Sequence, residues 1–308
     1  MKRTIGIAGL GIMGSAIGAN LARAGFGVAG YDPVPRARRS LARTGGRAAR
    51  SNGELARRCD VIITSLPSAA ALDRVAAELA GAARRGLLVV ETSTLPIDDK
   101  ERARRVLAAA GATLLDCPLS GTGAQARTRD LAVYASGPRA AVRRCAAVFD
   151  GFARVNYYVG AFGAGSKMKF VANLLVAIHN VSAAEALVLG KKAGLDPALV
   201  YKVVGDGAGS SRMFQVRGPM MVAGDYRDAT MKVEVWQKDM AIITDFARSL
   251  RCPTPLFLAS APLYTTALAA GRGGEDTASV CAVLEAMAGV KRGPARRTRR
   301  LRGDRPII

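Results

Sequence analysis

Residues 4–32 read TIGIAGLGIMGSAIGANLARAGFGVAGYD, and this stretch decides the fold. Thr4-Ile5-Gly6-Ile7-Ala8 is a short apolar strand and Gly9-Leu10-Gly11-Ile12-Met13-Gly14 a glycine turn. Ser15 to Ala24 continues as a helix, and Phe26 to Tyr31 is a second strand closed by Asp32. Gly9 permits the tight turn, Gly11 lets backbone approach a pyrophosphate, and Gly14 lets helix pack on strand. The helix start offers free N–H groups and a partial positive charge to phosphates. Asp32 falls eighteen residues past Gly14, where a carboxylate takes ribose hydroxyls. A GxGxxG alone is weak. Strand, turn, helix, strand and acid in register imply a dinucleotide site.

The alternation continues beyond Asp32. Strands are expected at Asp60–Leu66, Leu87–Thr92, Thr113–Asp116, Leu131–Ser136 and Val155–Val159. Helices are expected at Ala69–Ala80, Ile97–Ala110 and Arg139–Phe149. This predicts an α/β fold with a doubly wound, mostly parallel sheet of the Rossmann type. Ligands of such sheets sit beyond the strands' C-terminal ends. Gly9–Gly14, Leu66-Pro67, Thr92-Ser93-Thr94 and Pro118–Gly123 are thereby expected around one crevice.

From about residue 164 the texture changes. Ser166 to Ala193 has no proline, and Met168, Val171, Leu175 and Ile178 recur at helical steps. Further helices are expected at Pro197–Gly205, Val233–Leu250, Thr254–Ala270 and Thr277–Ala288. The expected organisation is a dinucleotide-binding domain over residues 1–160, an all-α domain over 161–290 entered through one long helix, and a basic, disordered tail over 291–308.

The 308 residues suffice for two domains, and half are hydrophobic. No apolar run reaches the ~18 residues of a membrane span, and the N-terminus does not have the pattern of a signal peptide. A soluble, cytoplasmic protein is expected. Cys59, Cys117, Cys145, Cys252 and Cys281 form no CxxC pair, which argues against a disulfide framework or zinc site. With His179 the single histidine, proton chemistry falls to Lys, Asp, Glu or Tyr, and no metal site is expected. Of the net charge of +21, residues 291–305 contribute eight basic groups against Asp304, about +7. The remaining arginines read as solvated helix faces. The tail is the one segment expected to meet nucleic acid, non-specifically and salt-dependently.

Three further segments carry chemistry. In Asp116-Cys117-Pro118-Leu119-Ser120-Gly121-Thr122-Gly123, a hydroxyl beside glycine N–H groups can hold a carboxylate, though an ordinary turn reads the same. In Gly163 to Asn173, Lys169 and Asn173 lie four apart on one helix face. A lysine there can exchange a proton with a hydroxyl if its pKa is lowered, although a solvated pair is the plainer reading. Lys238-Asp239, on a later helix, reads alone as surface decoration.

The order GxGxxG, DxPxSG, GxG followed by KxxxN, and KD resembles the β-hydroxyacid dehydrogenases from about residue 4 to 290. That family includes 3-hydroxyisobutyrate dehydrogenase, tartronate semialdehyde reductase and the glyoxylate/succinic semialdehyde reductases. The resemblance implies hydride transfer between NAD(P)(H) and a small β-hydroxyacid or its semialdehyde. It implies Lys169 as catalytic acid/base and Asn173 as hydrogen-bond partner of the reacting oxygen. It also implies Ser120, Gly121 and Thr122 as the carboxylate clasp and Asp239 at the site rim. On the cofactor, it implies Gly9, Leu10, Gly11, Ile12, Met13, Gly14 and Asp32, with Leu66 and Pro67 on the adenosine side, Thr94 on the nicotinamide side and Lys238 reaching in from the helical domain. Two departures stand out: Thr122 replaces the second glycine of Ser-Gly-Gly, and Ala172 replaces the first of two asparagines. Asp32-Pro33, where NADP users often carry Asn-Arg, favours NAD over NADP, with Arg36, Arg38 and Arg39 softening the preference. Relatives imply a homodimer or homotetramer.

The rivals are an imine reductase of the same superfamily, a 6-phosphogluconate dehydrogenase, and a non-catalytic NAD- or nucleic-acid-binding protein. Imine reductases usually lack the lysine, and the second rival has a longer helical domain. A dead relative would be expected to lose Lys169 or Ser120. Arg212 and Arg217 could still line an anionic pocket.

Overall fold

The computed structural model describes residues 4–290. The basic segment 291–308 lies outside the described residues, as does what was expected of it. In chain order the first elements are β1 (Thr4–Ala8), α1 (Ile12–Arg23), β2 (Gly27–Tyr31), α2 (Pro35–Arg43), β3 (Arg47–Ala48), α3 (Asn52–Arg58), β4 (Val61–Thr64), α4 (Ala69–Ala80), β5 (Leu88–Glu91) and α5 (Ile97–Ala109). Then follow β6 (Thr113–Asp116), β7 (Leu119–Ser120), α6 (Gly123–Arg127), β8 (Ala132–Ser136), α7 (Arg139–Phe152) and β9 (Val155–Gly160). The helical remainder comprises α8 (Ala164–Lys192), α9 (Pro197–Gly205), α10 (Arg212–Ala223), α11 (Val233–Ser249), α12 (Pro255–Ala269), a 3-10 turn (Thr277–Ser279) and α13 (Val280–Met287).

The strands form one sheet in the order β3-β2-β1-β4-β5-β6-β8-β7, with β9 beside β8. All pairings are parallel except those of β8 with β6 and β7. Strands β1, β4 and β5 are apolar because helices cover both faces. One buried layer gathers Ile5, Ile7, Ile17, Leu21 and Phe149, the other Ile62, Val89, Leu72, Leu79 and Leu114. By contacts the chain forms two compact units. The first comprises residues up to Leu175 together with Val235–Thr254, and the second Val176–Glu234 together with the residues from Pro255 on. The sheet itself ends at Gly160.

Several elements are absent from the sequence reading. Helix α2 buries only Leu41 among arginines, β3 is two exposed residues, and α6 is five residues inside a glycine-rich turn. Helix α10 carries Gly218 and Pro219, which read as breakers. Helix α8 corrects one expectation. By length and composition it is long and apolar enough to cross a membrane, with 44% of the qualifying window buried inside the molecule. No unbroken apolar run marks it in sequence, because Asn173, His179 and Asn180 interrupt the apolar residues.

The glycine turn has the geometry its sequence demands. Gly9 takes φ +93°, and a Cβ there would lie 2.2 Å from the Ser65 carbonyl oxygen. A Cβ on Gly14 would lie 1.9 Å from the Gly9 carbonyl oxygen. Helix α1 is tied onward to α6: Asn20 Nδ2 donates to the Ala126 carbonyl at 2.6 Å.

A buried ionic cluster fixes the start of α8. Lys100 Nζ lies 2.6 Å from Glu91 Oε2, 2.8 Å from Asp116 Oδ1 and 2.7 Å from the Ser93 carbonyl. All three charged side chains are fully buried. Burial disfavours the Lys100 ammonium, but the two carboxylates outweigh it and hold its pKa above the ordinary value. Asp116 in turn accepts from the Ser166 N–H at 2.7 Å and the Ser166 hydroxyl at 2.8 Å. The Ser136 hydroxyl donates to the Asp116 carbonyl and accepts from the Gly165 N–H at 3.0 Å. The excess negative charge thus meets the positive end of the α8 dipole. A Cβ on Gly165 would lie 2.5 Å from the Tyr134 carbonyl oxygen and 2.6 Å from that of Asp116, so only glycine lets the helix approach this closely.

Lys100→Met strands two buried carboxylates and is expected to lower the unfolding free energy by about 3–5 kcal/mol. Urea denaturation followed by circular dichroism measures this; a loss below about 1 kcal/mol would mean the cluster is dispensable. Gly14→Ala forces its methyl against Gly9 and is expected to weaken dinucleotide binding at least about tenfold. Quenching of intrinsic fluorescence on titration with NADH reads it.

Candidate active site

The glycine turn and Asp32 are coupled. Asp32 Oδ2 accepts the Leu10 N–H and Oδ1 the Val34 N–H, both at 2.8 Å. Gly9 donates to the Tyr31 carbonyl and the Ser15 hydroxyl to the Leu10 carbonyl. The N-terminus of α1 carries no side-chain cap and no acid in its first turn. A Cβ on Gly11 would meet nothing within 4 Å, so there is room beside the turn at this point. Uncapped amides, room above Gly11 and a fixed carboxylate at the end of β2 fit a dinucleotide. Met13 packs against the core, whereas Ile12 is 69% exposed.

Other predicted loops converge at the same edge. The Leu66 N–H donates to the Ser93 hydroxyl at 2.8 Å, joining the loop of Leu66 and Pro67 to that of Thr94. A Cβ on Gly123 would lie 2.5 Å from Ile12 Cγ2, so the segment after Ser120 abuts the glycine turn. Ser120 pairs with Ala132 on β8, and Gly121 takes φ +132°. The Thr122 N–H is engaged by Gln125 Oε1 at 3.0 Å, a capping contact missed in sequence. Thr122 therefore spends its amide on starting α6. The remaining donors of that turn are the Ser120 hydroxyl and the free amides at the start of α6.

Lys169 and Asn173 lie on α8, one and two turns past the buried anchor. Asn173 Nδ2 donates to Asp239 Oδ2 at 2.8 Å, and Lys238 Nζ donates to Asp239 Oδ1 at 2.7 Å. Lys238 Nζ also donates to the Thr94 carbonyl. The Lys-Asp pair of α11, which read as decoration when taken alone, thus links Asn173 to the loop after β5. Phe170 and Phe246, 5.1 Å apart edge to face, hold α8 against α11 at this point. Asn173 and Asp239 are buried and Lys169 half-buried. Burial lowers the Lys169 pKa to about 8; Asp239 opposes the shift and Lys238 adds to it. Among the described residues Lys169 makes no hydrogen bond or ion pair. A cavity of about 700 Å³ beside this group is lined by Ser68, Leu95, Phe170, Lys238 and Ile242.

Arg217 does not line an anionic pocket. It is 3% exposed and pairs with Asp276 at 3.1 Å, inside the second unit. Asp276 also accepts from the Thr230 and Met231 amides. In the same unit Asn180 Nδ2 donates to Tyr264 and to the Thr277 carbonyl. Cys117 is fully buried.

Residues 4–160 match the NAD binding domain of 6-phosphogluconate dehydrogenase, and residues 163–284 the NAD-binding domain of NADP-dependent 3-hydroxyisobutyrate dehydrogenase. The chain is 37% identical to an L-threonate dehydrogenase of Cupriavidus necator, over 92% of this chain and 97% of the relative. A solved 3-hydroxyisobutyrate dehydrogenase of Salmonella typhimurium is 34% identical, with a TM-score of 0.83, covering 92% of this chain and 100% of that one. An imine reductase of Pseudomonas sp., 22% identical with a TM-score of 0.53 over 92% of this chain and 100% of its own, shares the fold alone. With its nicotinamide-dinucleotide domain, ordered motifs and end-to-end dehydrogenase relatives, the chain belongs to the β-hydroxyacid dehydrogenase family.

Proposed function

We propose that this enzyme oxidises the hydroxyl of a small hydroxyacid, or runs the reverse reduction, with NAD as cofactor and Lys169 as acid/base. The observation that carries the reading is an amine whose pKa is lowered to about 8, next to an Asn173 amide oriented by Asp239. When bound, the nicotinamide ring takes or supplies the hydride. In oxidation the neutral Lys169 amine accepts the hydroxyl proton; in reduction its ammonium returns one to the forming alkoxide. Asn173 orients the same oxygen. The Ser120 hydroxyl with the Gly121 and Gly123 amides holds the substrate carboxylate, and positioning supplies much of the rate. The Thr122 amide is left out of that clasp because Gln125 occupies it. The L-threonate dehydrogenase relative makes a four-carbon sugar acid the first candidate substrate.

NAD is favoured because a 2′-phosphate would add negative charge beside Asp32. Arg38 does not relieve this: it donates to the Asp32 and Pro33 carbonyls and lies 5.6 Å over the Tyr31 ring. Homo-oligomerisation is supported by exposed apolar side chains on the second unit, among them Leu189 at 71%, Val203 at 61% and Leu256 at 68%. We take α8 as the spine of a soluble, cytoplasmic enzyme, because its Asn173 and Asn180 are buried on protein partners.

Lys169→Ala is expected to keep NADH affinity while kcat falls about 10²–10⁴-fold. Steady-state assays with L-threonate, 3-hydroxyisobutyrate and succinic semialdehyde test this; normal turnover by the variant refutes the assignment. For the wild type, kcat/KM for oxidation should rise with pH and level above about 8, and for reduction fall above about 8. Asp239 favours the charged amine, so Asp239→Asn should move both inflections to lower pH. The kcat/KM ratio for NAD over NADP should exceed about ten and narrow in Asp32→Asn.

A further inference from the structure

A second cavity, of about 630 Å³, lies where Thr113 begins β6 and Gly137 follows β8. None of its lining residues belongs to the site described above. Two arginines line it, each stacked on a ring. Arg104 of α5 lies 5.4 Å over Phe162, and Arg139, the first residue of α7, lies 5.0 Å over Tyr158. The single acid of the lining, Glu101, accepts from Arg104 Nε at 2.7 Å. Among the described residues Arg139 makes no ion pair. Helix α7 has no side-chain cap and no acid in its first turn, so no carboxylate among the described residues pairs with this guanidinium. Ala108, Leu114 and Pro138 add apolar wall, and the Tyr158 hydroxyl is turned to the Gly137 carbonyl.

We propose that this cavity binds a small aromatic carboxylate. Two arginines against one glutamate leave a single positive charge, which suits a monoanion rather than a phosphate ester. A guanidinium offers paired donors to a carboxylate. The apolar wall and the two rings accept a planar apolar body, and the volume is that of an ordinary small-molecule site. Binding here is read without turnover, so it stands or falls separately from the dehydrogenase reading.

The test is isothermal titration of phenylacetate into the full-length protein and into Arg139→Ala, Arg104→Ala and Ser120→Ala, each first shown to melt as the wild type does. Saturable binding is expected, weakened about tenfold or more in each arginine variant and unchanged in Ser120→Ala. Arg139→Lys, which keeps the charge and loses the paired donors, should fall between. No binding up to about 10 mM, affinity in Arg139→Ala and Arg104→Ala equal to that of the wild type, or loss in Ser120→Ala alone would each overturn the proposal.

Discussion

The structure depends on one buried ammonium. Lys100 lies between Glu91 and Asp116, all three fully buried, and Asp116 then caps the helix that carries Lys169 and Asn173. A buried ion cluster is a doubtful source of net stability, since desolvation consumes most of the Coulombic gain. Its contribution here is geometric. Three strands, β5, β6 and β8, and one helix, α5, supply groups to a single point, and α8 can start only there. Lys169 follows Ser166 by three residues, so the anchor and the amine share one helical turn.

That arrangement separates two tasks within the DxPxSG segment. Asp116 belongs to the anchor and Ser120 to the open edge beside the glycine turn. Pro118 lies between them, with its ring close against Gly165. A similar division holds on α11, where Lys238 reaches the loop after β5 while Asp239 fixes Asn173. Each short motif is a pair of residues facing different neighbours.

The mostly parallel α/β alternation and the glycine turn were legible because period, glycine spacing and strand length report directly on backbone geometry. Helices at Pro197–Gly205 and Ala69–Ala80 were legible for the same reason. Helix α6 was not, because its five residues, Gly123–Arg127, follow directly on Ser-Gly-Thr and are too few to show a period. Of the candidate site, spacing put Lys169 and Asn173 on one helix face, and only the family resemblance gave them roles. The anchor could not be read: Glu91, Lys100, Ser136 and Ser166 are scattered, and each has an ordinary surface residue's identity. Their pairing is a tertiary fact. Arg217 misled for the converse reason, since a buried partner, Asp276, lies 59 residues away.

The arginine-rich exterior and the buried lysine answer differently to salt. Pairs such as Arg102–Asp73 and Arg154–Asp130 stand in solvent, where a Debye length of about 10 Å at 0.1 M screens them. The Lys100 cluster is sealed from mobile ions. In brine, then, the chain's many outer pairs would fade while the footing of α8 kept its strength.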